Sequence, residues 1–294
     1  MALLLLLLLC FFTATGQLFL HPASCSPPPS SSSCDWCPRH TTAAAHLNDV
    51  TDADDGDDDA CGYGDAMATE LNGVGLFAAA AGAEFFRDGA GCGACYQLRC
   101  RDRSVCGGDG VKVVVTHAAN RTGFLLSREA FAAMARRDHQ QLAGAMEVDF
   151  RRIPCDYKKN LAVRVEEAGS RNPSHLAIRF LYQGGQTDIA AVEIAQAVAN
   201  NHPAHQASWR PMARLRRSSK LWRTPRAPAG PLRLRLVVTA GSGGKWLRAE
   251  EAVLPADWRP GQAYDTGLRV TDVAVRSCAR SCGGGGNDDD EELR

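Results

Sequence analysis

Four cysteines of this chain stand in two close pairs, Cys34 with Cys37 and Cys278 with Cys282, a spacing that could hold zinc through four thiolates. In an oxidising compartment the same residues close disulfides instead. We adopt that reading, with no metal assigned and their mutual pairing left open. Six aspartates between Asp52 and Asp59 raise the idea of a calcium loop. The spacing fails, because Gly56 takes the fifth loop position, where a ligand is needed, and Tyr63 takes the place of the bidentate Glu. A solvated acidic loop is the expectation. His117 is of the one type that titrates near neutral pH, and a lone imidazole needs a second group to do acid–base work. From Ile194 to Ala249 there is no acidic residue and there are eleven Lys or Arg, among them Arg210, Arg214, Arg216, Arg217, Lys220, Arg223 and Arg226. A cationic run of that length suits a polyanion and would be weakened by salt. Over the whole chain the charges cancel, 33 basic against 33 acidic, so net charge names no partner.

Positioning such residues requires a fold, and the 294 residues, 45% hydrophobic and 22% charged, suit two domains of ordinary size. Residues 1–25 read as a signal peptide: seven leucines, Leu3 to Leu9, then Cys10, Phe11 and Phe12 form an apolar run too short to span a bilayer, and small residues precede Cys25. Cys10 and Cys25 would leave with it, and ten cysteines, an even set, remain. Residues 26–57 form a low-complexity leader holding Cys34-Asp35-Trp36-Cys37 and the acidic run. Residues 58–159 carry six cysteines among glycines and β-branched runs such as Val111 to Thr116, an all-β pattern. One helix interrupts it, N-capped by Ser127, with Phe131 and Met134 as core residues on one face. Residues 173–276 follow, in a stretch where period-two strands are read at Leu161–Val165, Leu176–Tyr182, Ile189–Ala195, Leu232–Thr239 and Lys245–Val253. That spacing suggests a β-sandwich. In Leu232-Arg233-Leu234-Arg235-Leu236 the leucines pack while the arginines face water. Residues 283–294, glycines and then acids, are expected to be disordered.

Several motifs together resemble the expansin superfamily of plants. They are Cys61-Gly62-Tyr63-Gly64, Gly91-Cys92-Gly93-Ala94-Cys95-Tyr96-Gln97, Cys100, Cys106, and Arg152-Ile153-Pro154-Cys155. Cys34-Asp35-Trp36-Cys37 and Arg179-Phe180-Leu181-Tyr182-Gln183-Gly184-Gly185-Gln186-Thr187-Asp188-Ile189 are similar to signatures of its expansin-like A subgroup. The resemblance implies an all-β fold: a six-stranded double-psi β-barrel like that of family-45 endoglucanases, followed by an immunoglobulin-like β-sandwich that binds carbohydrate. It also implies the disulfides Cys61–Cys92, Cys95–Cys155 and Cys100–Cys106. The residues alone allow fifteen pairings of those six.

Inverting glycoside hydrolysis needs two carboxyl groups roughly 6.5 to 9.5 Å apart. At the positions where the family's barrels carry aspartates, this chain has His117 and Leu125, and leucine has no proton to exchange. Asp102, Asp109, Asp138 and Asp149 match no family position and read as loop charges. No catalytic residue is therefore assigned. Sugars expose apolar C–H faces on which flat rings stack, so binding needs no acid. Tyr182, Trp209 and Trp222 are the candidate platform, while Trp246 and Trp258 read as structural.

The expected function is that of a secreted, extracellular cell-wall protein that binds cellulose and matrix polysaccharides and loosens their contacts without hydrolysis. The basic run adds acidic polymers such as pectate or glucuronoxylan as candidates. The alternatives are a residual endoglucanase-like hydrolase and a structural wall protein without loosening activity. No cofactor is implied. Nucleic acid is set aside because of secretion, no membrane is expected after signal cleavage, and the chain is expected to be a monomer. Asn120-Arg121-Thr122 is a usable N-glycosylation sequon.

Overall fold

The computed structural model describes residues 41–47, 61–102, 104–107, 110–136, 144–168, 175–197, 208–215, 221–240, 243–270 and 273, all within one compact unit. The expected signal, the Cys34–Cys37 motif, the acidic run, Cys278, Cys282 and the tail lie outside the described residues. So do Asp109, Asp138, Arg216, Arg217 and Lys220.

Six strands close a barrel: β1 (Thr41–Leu47), β2 (Phe77–Ala81), β3 (Cys95–Cys100), β4 (Val111–Ala118), β5 (Phe124–Leu126) and β6 (Ala145–Ile153), in the order β1-β5-β2-β4-β3-β6. The pairs β1–β5 and β2–β4 run parallel and the remaining contacts antiparallel. The double-psi barrel implied by the resemblance is thus present. Val111-Lys112-Val113-Val114-Val115 shows why β4 reads as a nearly continuous apolar run. Val113 and Val115 face the barrel core, whereas Val114 packs on the other side against Met67, Leu71 and Cys95. Strands covered on both faces lose the alternation that a half-exposed strand keeps.

Helix α1 (Gly64–Gly73) supplies that outer cover, and a short α2 (Ala83–Phe86) and α3 (Arg128–Met134) follow along the barrel half. As expected, the Ser127 hydroxyl accepts a bond of 3.2 Å from the Ala130 amide, and Phe131 and Met134 are buried in the barrel core. Strand β1 is a correction. It lies inside the stretch 26–57 read as a leader, yet Ala45 is fully buried and sits opposite Phe124 and Met146. Thr-Thr-Ala-Ala-Ala-His-Leu has no apolar alternation to betray a strand. Its partners define it.

Three disulfides staple the barrel: Cys61–Cys92, Cys95–Cys155 and Cys100–Cys106. They close 31, 60 and 6 residues, and loop-closure entropy makes them worth about 4, about 4 and about 2 kcal/mol.

The second half is one sheet of eight strands. These are β7 (Ala162–Ala168), β8 (Leu176–Leu181), β9 (Ile189–Gln196), β10 (Arg210–Arg214), β11 (Leu221–Thr224), β12 (Leu232–Ala240), β13 (Gly243–Arg248) and β14 (Ala263–Asp265). Their order is β13-β12-β9-β10-β11-β8-β7-β14. Inward residues from both ends of that order, Val163 and Ile178 on one side and Leu234 and Leu236 on the other, share one core. The sheet therefore folds over itself as a sandwich. β12 keeps the expected alternation, with its leucines buried and Arg233 and Arg235 on the outer face. The strand expected at Lys245–Val253 ends at Arg248. Strands β10, β11 and β14 escaped the sequence reading because they are short and carry prolines or charges.

Candidate functional site

The register brings four residues into one row across neighbouring barrel strands. His46 on β1 lies opposite Leu125 on β5, Leu125 opposite Ala80 on β2, and Ala80 opposite His117 on β4. Leu125 is buried, His46 and Ala80 are half-buried, and His117 is exposed. The row holds no carboxylate. Its two imidazoles are separated by three strand spacings, about 14 Å along the sheet. His117 Nδ1 lies 2.7 Å from the Thr116 hydroxyl. Nearby, Glu84 accepts the Gly123 amide at 2.6 Å, which commits one of its oxygens to the loop before β5. Asp102 accepts from the Ser104 amide and hydroxyl in a turn, and Asp149 lies 3.5 Å from Arg101, so both aspartates serve local structure.

The segment Arg179 to Asp188 forms the seam between barrel and sandwich. Arg179 on β8 donates to the Cys61 carbonyl and to Glu166, and Arg164 on β7 donates to the Gly62 carbonyl and to the same carboxylate. After β8 the chain turns through Tyr182, Gly184 and Gly185, all at positive φ. A Cβ on Gly185 would stand 2.3 Å from the Cys155 sulfur, so glycine lets this turn seat on the Cys95–Cys155 bridge. Arg152 donates to the Gly185 carbonyl at 2.7 Å and to Asp188 at 2.6 Å, while Arg87 clasps Asp188 with two bonds of 2.8 and 3.0 Å. Burial alone would raise the Asp188 pKa. The two guanidiniums overcome it and hold this carboxyl well below the usual carboxylate range.

The candidate platform residues do not assemble into one surface. Tyr182 sits at the seam, half-buried, its hydroxyl donating to Glu70 at 2.7 Å and its ring covered by the Lys159 ammonium 4.9 Å from the centroid. Lys159 also donates to Glu70 at 2.8 Å, and these two bonds lower the Glu70 pKa. Trp222 on β11 is 6% exposed and belongs to the sandwich core, with Arg214 over its ring at 4.8 Å. A ring so enclosed offers no face to a sugar, which corrects its assignment to the platform. Trp209, just before β10, is half-buried and lies against Arg235 and Arg248 at 4.4 and 5.4 Å. Trp246 on β13, read from sequence as structural, is 55% exposed, with Arg235 at 4.8 Å from its ring. Trp258, read the same way, packs partly buried against the sandwich core. Sequence reasoning missed Trp246, Arg235 and Arg248 as one cluster. The alternation of β12 put Arg235 on a wet face, but only the pairing of Val237 with Trp246 and of Arg235 with Arg248 brings the indole there.

Residues 162–255 match the family described as expansin C-terminal domain, and residues 78–150 match the family described as lytic transglycolase. The chain is 58% identical to expansin-like A4 of Oryza sativa subsp. japonica over 85% of this chain and 84% of that one. It is 41% identical to expansin-like A2 of Arabidopsis thaliana, over 90% of this chain and 96% of the relative. Among solved structures, the apo expansin of Clavibacter michiganensis superposes with a TM-score of 0.54 at 20% identity, covering 79% of this chain and 98% of that one. A mutant of the same bacterial protein, solved in complex with cellohexaose, gives 0.51 at 20% identity over 78% of this chain and 98% of its own length. With both domains matched in order and most of the chain covered by close relatives, this chain belongs to the expansin family, within its expansin-like A group.

Proposed function

We propose that this protein is exported to the plant cell wall, binds cellulose and matrix polysaccharides there, and loosens contacts between them without cleaving a bond. The observation that carries this reading is the barrel row His46, Leu125, Ala80, His117, which holds no carboxylate. Hydrolysis by inversion calls for a pair of carboxyl groups across the bond, and such a row offers none. Binding needs neither, since stacking on sugar C–H faces is supplied by aromatic rings, and this chain keeps Trp209, Trp246 and Tyr182 at least partly exposed. The bacterial fold neighbour crystallised with cellohexaose supports a glucan as the kind of ligand such a fold takes. Asn120 is exposed just beyond β4 and would carry the glycan of an exported protein.

The test pairs two assays on the full chain. Pull-down on cellulose should retain the protein, while soluble glucan should release no reducing sugar above a boiled control. Release that disappears in His117→Ala would overturn the non-hydrolytic reading. Heat-inactivated wall strips under constant load should extend when the protein is added; retention on cellulose without extension would remove the loosening claim and leave a binder.

A further inference from the structure

On the outer face of the sandwich, β12 and β13 place a set of residues that the reading above does not by itself require. Alternation puts Arg233 and Arg235 of β12 on that face, their leucine neighbours being buried. Register sets Arg248 opposite Arg235, Trp246 opposite Val237, and Glu193 of β9 on the other side of Arg235. The Arg235 guanidinium lies between two indoles, 4.4 Å from Trp209 and 4.8 Å from Trp246, and is ion-paired with Glu193. Arg248 approaches the Trp209 ring at 5.4 Å and, among the described residues, has no carboxylate partner. The Arg233 Nε is buried without a hydrogen-bond partner. One carboxylate thus answers three guanidiniums on a surface that also exposes more than half of an indole.

We propose that this face is a glycan-binding site selective for uronate-bearing polysaccharide, a ligand class that joins a flat apolar sugar face to a carboxylate. Trp246 supplies the stacking surface. Arg248 and Arg233 supply planar forks whose N–H groups donate to a carboxylate in bidentate fashion, and their weak hydration lowers the cost of bringing them under a sugar. Arg235 has a different part: held between the rings and neutralised by Glu193, it fixes the indoles and does not meet the ligand's charge. Arg248 lies one strand away from Arg235, about 4.8 Å, and Arg233 two residues along, about 6.8 Å. By register Arg248 stands two residues from Trp246 along β13, and Arg233 stands two residues further in the same direction along β12, so a chain running that way from the indole can meet both. A neutral glucan would use the ring and leave two guanidiniums stripped of water without a partner, which is where the selectivity arises. This inference rests on the reading of the protein as a polysaccharide binder and names the class of polysaccharide for one face.

The experiment compares retention of the full chain by immobilised polygalacturonate, by the same polymer fully methyl-esterified, and by cellulose, at low and raised salt. The acid form should bind about tenfold more tightly than the ester, with the difference shrinking as salt rises. Arg248→Gln should weaken binding to polygalacturonate about fivefold and leave the ester and cellulose unchanged. Trp246→Ala should weaken both polygalacturonate forms, and Trp246→Phe should restore most of the loss while keeping a ring in the stack. Equal binding of acid and ester, or wild-type retention by Arg248→Gln, overturns the proposal. So does binding to a short DNA duplex that matches polygalacturonate in strength and in its response to Arg248→Gln. If cellulose is retained but the acid preference is absent, only this inference falls; if polygalacturonate is retained but cellulose is not, the cellulose reading falls and this one stands.

Discussion

The barrel and the sandwich have similar numbers of strands and are held together by different physics. The barrel core contains many small residues, Ala45, Ala79, Ala81, Ala94 and Ala130 among them, and all three disulfides described lie in the barrel half, Cys100–Cys106 in that core and the other two in the cluster outside it. The sandwich has no cysteine between Cys155 and Cys278 and fills its core with Leu, Ile and Val from alternating strands. Small side chains bury little apolar area each, so the barrel relies on covalent closure to restrict its unfolded chain. The sandwich relies on area. The barrel sets a row without a carboxylate across four of its strands, and the sandwich puts aromatic and cationic residues on an outer face that its core does not need.

That contrast can be broken most directly at the covalent staples. The double substitution Cys95→Ala with Cys155→Ala removes the bridge closing 60 residues and should destabilise the barrel by about 4 kcal/mol. Among the described residues every tryptophan (Trp209, Trp222, Trp246 and Trp258) lies in the sandwich. In a Trp36→Phe background, tryptophan fluorescence therefore follows the sandwich while far-ultraviolet dichroism follows both halves. The expected outcome is an early transition seen by dichroism alone; coincident transitions would mean that the seam couples the halves into one cooperative unit.

A comparable effect is expected at the seam itself. Asp188→Asn leaves Arg152, 4% exposed, without its counter-charge, which for a buried pair costs about 3 to 5 kcal/mol. The loss should appear as separation of the two transitions. The pH dependence has a definite sign. Because the folded Asp188 titrates below the usual carboxylate range, its contribution is complete above the unfolded value near 3.9 and is lost as pH falls through the folded value. Chemical denaturation between pH 7 and pH 3 should show the Asp188 share of the stability falling below about pH 4. The Asp188→Asn protein should lack that part of the slope. An unchanged acid limb would show that the ion pair does not hold the halves together.

The smallest effect sharpens the barrel side. Ser127→Ala removes the cap of α3 and should cost about 1 kcal/mol, read as a shift of the barrel transition without change in the sandwich signal. A shift in both signals would again argue for a single unit.

Much of this molecule was legible in its residues. The Leu-Arg alternation of β12 identified a half-buried strand because period two is imposed by the pleat. Ser127 marked a helix start because a hydroxyl there satisfies an amide that the helix leaves open. The glycines and Asp188 of the segment after β8 were recognisable as a signature, though the reason for them is the seam and its contact with the Cys95–Cys155 bridge. What stayed hidden depended on partners distant in sequence. β1, with its run of alanines, is a strand only because β5 and β6 flank it. Trp222 and Trp246 differ in type from nothing around them that would foretell opposite fates. One is enclosed by β8 and β10 within the order of the sheet, and the other sits on β13, at the end of that order.

The sequence by itself determined the cysteine frame, the two-part organisation and the outward arginines, because each is a matter of residue type and local spacing. Tertiary structure decided which aromatic rings meet solvent, that Tyr182 serves the seam, and that Arg235 lies between Trp209 and Trp246. The physical reason is that a strand's period fixes which side chains share a face, whereas strand order and register fix which faces exist and what covers them.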